Sequence, residues 1–165
     1  MNYLATALEY HKSGFRIIPV NEDKRPVVAW KQFQASQTEE DIRAIFTNDC
    51  YGIAVLTGVN GLECIDIDCK YSLTPGMEVD YMKLLDDTKT ISFLDLTVIR
   101  TKSGGFHALY RAQNIGGNTK LARRHSSPDE LKNDPNDKIK VLFETRGVGG
   151  YIVAHPTPGY ELQVG

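Results

Sequence analysis

The sequence predicts an α+β fold, and three observations carry that prediction. Short apolar runs bounded by glycine recur along the chain. Two of them flank a Ser-Gly-Gly turn at hairpin spacing. Helical periodicity is confined to a few amphipathic stretches that do not alternate with the strands. A doubly wound parallel sheet, which needs a helix in each crossover, does not fit that spacing. The 165 residues are read as one domain, 41% hydrophobic and 24% charged. That is enough to build a core and too apolar for intrinsic disorder.

The elements follow in chain order. Residues 2–13 read as a helix, with Tyr3, Leu4, Ala7, Leu8 and His11 on one face and Gly14 as its stop. Residues 15–20 form a short buried strand, and Asn21-Glu22-Asp23-Lys24-Arg25-Pro26 a polar loop. Thr38-Glu39-Glu40-Asp41 has the pattern of a capping box that opens a helix striped by Ile42, Ile45 and Phe46. Residues 52–58 and 62–68 are two apolar strands around Gly61, expected to pair as a hairpin. Residues 76–87 make a second amphipathic stretch, with Met77, Tyr81, Leu84 and Leu85 on one side. Strands are expected at 96–100 and 106–110 around Ser103-Gly104-Gly105, and again at 140–146 and 149–154. Residues 111–137 are polar and read as a surface loop or a small helical insertion.

Charge and cysteine content narrow the function. Net charge is −2, but residues 1–99 carry −6 and residues 100–146 carry +5. That split is compatible with an acidic metal site beside a basic, phosphate-facing surface, and equally with scatter over a solvated exterior. Cys50, Cys64 and Cys69 are odd in number and contain no Cys-x-x-Cys pair, so neither a disulfide framework nor a zinc knuckle is expected. The sequence has no membrane-length apolar run and no signal-peptide pattern, which makes the cytoplasm the expected address.

Three segments carry candidate chemistry. In Glu63-Cys64-Ile65-Asp66-Ile67-Asp68, residues Asp66 and Asp68 project to one face of a strand, about 6.6 Å apart, while Ile65 and Ile67 turn the other way. Two adjacent carboxylates repel, and a hard divalent cation relieves the repulsion. A bare Asp-x-Asp is more often a strand end that faces water. In Thr101-Lys102-Ser103-Gly104-Gly105-Phe106-His107, the glycines permit close approach to an anion, Ser103 offers a hydroxyl donor and His107 a ring N–H. The competing reading is a tight hairpin turn with a satisfied histidine. In Phe143-Glu144-Thr145-Arg146, residues Glu144 and Arg146 share a strand face. Glu144 could complete an acidic triad and Arg146 could contact phosphate or hold Glu144; the competing reading is a surface ion pair of little energetic consequence. His11, His125, Trp30 and the cysteines are read as packing or surface residues, and His155 as within reach of the site without a named partner.

Taken in order, the segments around Gly14-Phe15, Lys24-Arg25-Pro26 with Trp30, Gly52-Ile53-Ala54, Asp66-x-Asp68, Ser103-Gly104-Gly105-x-His107 and Glu144-x-Arg146 with Gly149-Gly150-Tyr151 resemble the N-terminal domain of bifunctional DNA primase/polymerases, the Prim-Pol branch of the archaeo-eukaryotic primase superfamily. The resemblance runs from about residue 4 to 160. It implies an RRM-like catalytic core of mixed, mainly antiparallel sheet with packed helices and a second small α/β unit. It also implies roles: Asp66, Asp68 and Glu144 on two Mg²⁺ or Mn²⁺ ions, and Ser103, Gly104, Gly105 and His107 around the triphosphate. Many relatives carry Asp where this chain has Glu144. Lys102, Arg146 and, on weaker grounds, Arg123 and Arg124 are candidates for phosphate contacts. The implied activity is template-dependent nucleotidyl transfer in the replication of a plasmid, phage or mobile element. Its partners would be nucleoside triphosphates, single-stranded or primed DNA and a helicase, with no membrane and no structural zinc. The chain is expected to be either a short stand-alone relative or the N-terminal part of a longer replication protein. Two rival classes stand beside it. One is a catalytically silent RRM-like nucleic-acid-binding module. The other is a metal-dependent phosphohydrolase or nuclease, against which Lys70 counts by standing where haloacid-dehalogenase phosphatases need Thr or Val.

Overall fold

A computed structural model of the protein describes residues 3–47, 50–74, 76, 83 and 96–165. Two antiparallel sheets pack on each other. The smaller has three strands in the order β1 (Ile17–Val20), β2 (Gly52–Leu56), β8 (Tyr151–Ala154). The larger has six, in the order β6 (Thr119–His125), β7 (Ile139–Arg146), β3 (Leu62–Ile67), β5 (Phe106–Arg111), β4 (Thr97–Arg100), β9 (Glu161–Val164). Helices α1 (Tyr3–Lys12) and α2 (Glu39–Ile45) pack with the small sheet, and α3 (Pro128–Asn133) lies between β6 and β7 in the chain. The α+β class is as the sequence predicts. Within the large sheet, β7-β3-β5-β4 runs fourth, first, third, second in chain order. This is the strand order of the RRM-like core that the resemblance implies.

Local chemistry explains the elements. Tyr3 and Ala7 bury one face of α1. The capping box of α2 forms as expected: the Thr38 side chain accepts from the Asp41 N–H and the Asp41 carboxylate accepts from the Thr38 N–H. Pro19 is tolerated in β1 because β1 is an edge strand. The exposed side of that edge is closed by the Gln37 amide, which accepts from the Ile17 N–H and donates to the Ile17 carbonyl, so a side chain stands in for a neighbouring strand.

The expected hairpin between residues 52–58 and 62–68 does not form. β2 pairs with β1 and β8, whereas β3 pairs with β5 and β7. All five residues of β2 are buried, which suits the centre of a covered sheet, and β3 buries Leu62 and Cys64 on one face and Ile65 and Ile67 on the other. Gly58, at φ +81°, and the 3-10 turn Val59–Gly61 carry the chain from one sheet to the other. Residues 111–137 differ from a plain loop or helical insertion, since they hold strand β6 as well as α3. β6 is an edge strand and largely exposed, so it shows no apolar alternation to read. The stretch at 76–87 lies outside the described residues except for Gly76 and Lys83.

The main core lies between the sheets and joins Ile17, Ile18, Ile53 and Leu56 to Leu62, Cys64, Ile99 and Leu109. A second cluster on the opposite face of the large sheet contains Ile65, Ile67, Leu96, Val98 and Ala108. Among the described residues, no helix is long and apolar enough to cross a membrane.

Candidate active site

Strand register assembles the site. Asp66 on β3 stands directly opposite His107 on β5 and directly opposite Glu144 on β7. Residues in register share a face of the sheet, with Cβ atoms about 4.5–5.5 Å apart. The three side chains therefore meet at one level, although they come from three separate parts of the chain. Asp68 follows just past the end of β3, where its N–H donates to the Leu142 carbonyl. This end of the face opens into a cleft of about 380 Å³, lined by Asp66, Asp68, Ser103 and His107 on the large-sheet side. The opposite wall is formed by Gly149 to Val153 together with Lys24 and Arg25.

Each group is held. The His107 Nδ1–H donates to the Val153 carbonyl at 3.0 Å, which fixes the tautomer and leaves Nε2 3.6 Å from an Asp66 oxygen. Burial pushes the His107 pKa down, against the pull of Asp66. The Nδ1–H is thus committed to β8, and Nε2 is the ring atom left for the cleft. Tyr160 packs against the His107 ring at 5.9 Å between centroids, and burial, helped by Asp66, pushes its phenol up to about 12.

The glycine turn works differently from the expectation. The Gly104 N–H donates to the Thr101 carbonyl, and the Gly105 N–H to the Thr101 hydroxyl, so both amides serve the turn itself. Ser103 remains in the cleft, while Lys102 and Gly104 line a separate shallow depression with Arg100 and Glu161. Arg124 is also committed elsewhere: its guanidinium makes a two-pronged pair with Glu130 and donates to the Tyr71 carbonyl. Arg123 is exposed on β6.

Glu144 sits opposite Asp66, but its carboxylate meets the Arg146 guanidinium at 2.5 Å, and that guanidinium also reaches Asp66 at 3.2 Å. Lys70 pairs with Asp68 at 3.0 Å. Among the described residues, no group of three or more His, Cys, Asp or Glu side chains gathers at metal-ligand spacing. The donor set still fits a hard divalent cation: carboxylate oxygens on adjacent strands, with their charge currently balanced by the protein's own cations.

Sequence reasoning gave no role to Lys24, Arg25, Lys70 or Tyr160, all of which line the cleft. The basic pair before Pro26 was a usable signal. Its placement depends on Lys24 adopting φ +65° and on the Tyr151 hydroxyl donating to the Lys24 carbonyl at 3.3 Å, neither of which is written in local sequence.

The family described as bifunctional DNA primase/polymerase, N-terminal, matches residues 7–163. No curated protein matches the chain.

Proposed function

Because the chain belongs to the bifunctional DNA primase/polymerase N-terminal family, we propose that it extends or initiates a nucleic-acid strand on a DNA template, using nucleoside triphosphates, in the replication of a plasmid, phage or mobile element. The observation that carries the reading is the register of β3: Asp66 stands between Glu144 on one side and His107 on the other, and Asp66 and His107 line the cleft with Ser103.

The chemistry is phosphoryl transfer, in which the 3′-oxygen attacks the α-phosphorus and pyrophosphate leaves. The family generally uses divalent metals; Mg²⁺ or Mn²⁺ held by Asp66, Asp68 and Glu144 would supply activation of the hydroxyl and neutralisation of phosphate charge. The chain's own residues do the rest. The Ser103 hydroxyl donates to a phosphate oxygen. Lys24, Arg25 and Lys70 line the cleft and favour a polyanion there. His107 is oriented by β8, which leaves its Nε2 as the ring atom available on the Asp66 side of the cleft. Tyr160 walls the cleft beside His107 and limits water. A single-stranded or primed DNA would follow the basic surface, with exposed Arg123 at its margin, and a helicase would act upstream.

The test is primer extension and de novo synthesis with Mg²⁺ and Mn²⁺, comparing the parent with Asp66→Asn. The expected loss is at least about 10²–10³-fold, the scale for removing one preorganised electrostatic group. Equal product from both proteins overturns the proposal. DNA binding without synthesis would favour the silent module, and nucleotide hydrolysis without extension the phosphohydrolase.

A further inference from the structure

We propose that Arg146 is the resident counter-ion of the Asp66–Glu144 carboxylate pair, and that a divalent cation enters the site by displacing it. The inference rests on the reading of this cleft as a metal-dependent nucleotidyl-transfer site.

Two observations carry it. First, Asp66 and Glu144 are direct cross-strand partners, an arrangement in which like charges destabilise the sheet unless something neutralises them. Their side chains are only 18% and 19% exposed, so water screens the repulsion poorly. Second, one guanidinium reaches both, at 3.2 Å to Asp66 and 2.5 Å to Glu144. Other nearby groups do not replace it. His107 also faces Asp66, but its Nε2 stands 3.6 Å away, outside hydrogen-bond reach, and its Nδ1–H is committed to the Val153 carbonyl. Lys70 is engaged with Asp68.

Arg146 follows Glu144 by two residues on β7, so it projects from the same strand face and can reach back over the pair. The Nη2 nitrogen reaches both carboxylates and Nε adds a second contact to Asp66 at 3.4 Å, a fixed fork that the flexible ammonium of lysine would not reproduce. A divalent cation needs the same oxygens, so guanidinium and metal compete. A displaced Arg146 remains a lining residue of the cleft, where the phosphates of the nucleotide are its next available partner. Metal entry would thus convert Arg146 from a lock on the carboxylates into a contact for the substrate, which makes metal binding precede productive nucleotide binding.

The experiment is Mn²⁺ titration of the full chain without nucleotide, read by loss of the free-ion electron paramagnetic resonance signal. The parent is compared with Arg146→Gln and Arg146→Lys. Displacement predicts about tenfold tighter Mn²⁺ binding for Arg146→Gln and a smaller gain for Arg146→Lys, a change of about 1.4 kcal/mol per tenfold. It also predicts that apo Arg146→Gln melts lower than the parent and gains more on Mn²⁺ addition. If Arg146→Gln does not fold, Arg146→Lys decides the question. Unchanged or weaker Mn²⁺ binding in the folded variants, with the parent binding normally, overturns the competition and leaves the metal reading intact. No Mn²⁺ binding by the parent removes the metal reading and this inference with it.

Discussion

At the turn between β4 and β5, two adjacent glycines answer to different constraints. Gly104 has φ +80° with open space around its α-carbon, so Gly104→Ala should cost only the left-handed backbone penalty, about 1–2 kcal/mol. Gly105 has ordinary dihedrals, but a Cβ there would stand 2.1 Å from the Ile67 carbonyl oxygen. Gly105→Ala must push back the end of β3, at the residue between Asp66 and Asp68. It should cost about 1–3 kcal/mol in urea unfolding and abolish primer extension, while Gly104→Ala retains most activity. The motif therefore earns its glycines through close packing against the acidic strand rather than through amides aimed at an anion. The sequence shows the two glycines but not where their amides go, because that commitment is visible only once the Thr101 carbonyl and hydroxyl are placed.

Among the elements, what the sequence made legible tracks burial. β2, β4, β5 and β7 are apolar or alternating, and their strand character could be read directly. Asp66-x-Asp68 and Glu144-x-Arg146 could be placed on strands for the same reason. Partner choice was not legible: the β2–β3 pairing was read from proximity in the chain, whereas both strands found distant partners. β6 was illegible because an edge strand with solvent on most sides has no period to display. Its anchor is Arg124, which ties Glu130 at the start of α3 to the Tyr71 carbonyl, close behind Asp68. That pairing, with the Ser127 N–H, lowers the Glu130 pKa from 4.5 to about 2. Because the folded value lies below the unfolded one, the contribution is complete above about pH 4.5 and is lost as pH falls through about 2. Carboxyl-carbon NMR should place the Glu130 midpoint near 2 in the parent and return it toward 4.5 in Arg124→Gln. A midpoint unmoved by that substitution would exclude the clamp.

For the molecule as a whole, two of the chain's crossings between the sheets, after β2 and after β7, meet at one corner beside the cleft. The chain passes from β7 of the large sheet to β8 of the small one through residues 147–150, and Thr57, fully buried at the end of β2, pins that passage. Its hydroxyl donates to the Gly147 carbonyl at 2.7 Å and its N–H to the Gly150 carbonyl at 3.1 Å. Thr57→Val keeps the shape and strands the Gly147 carbonyl, at a cost of about 1–3 kcal/mol. Nucleotide affinity, measured by calorimetry, should weaken as well, since Gly149 and Gly150 line the cleft. Joint addition of Mn²⁺ and a nucleoside triphosphate should raise the melting temperature, by the equivalent of about 2.7 kcal/mol at a hundredfold excess over Kd, and Asp66→Asn should abolish the rise. The register of β3 also bears on biogenesis. Asp66 meets Arg146 from 80 positions away, so a nascent polypeptide still lacking β7 carries the acidic strand with half its surroundings unmade. The β3–β7 pairing closes only after β7 has been made, and a product terminated before β7 is expected to be inactive in primer extension.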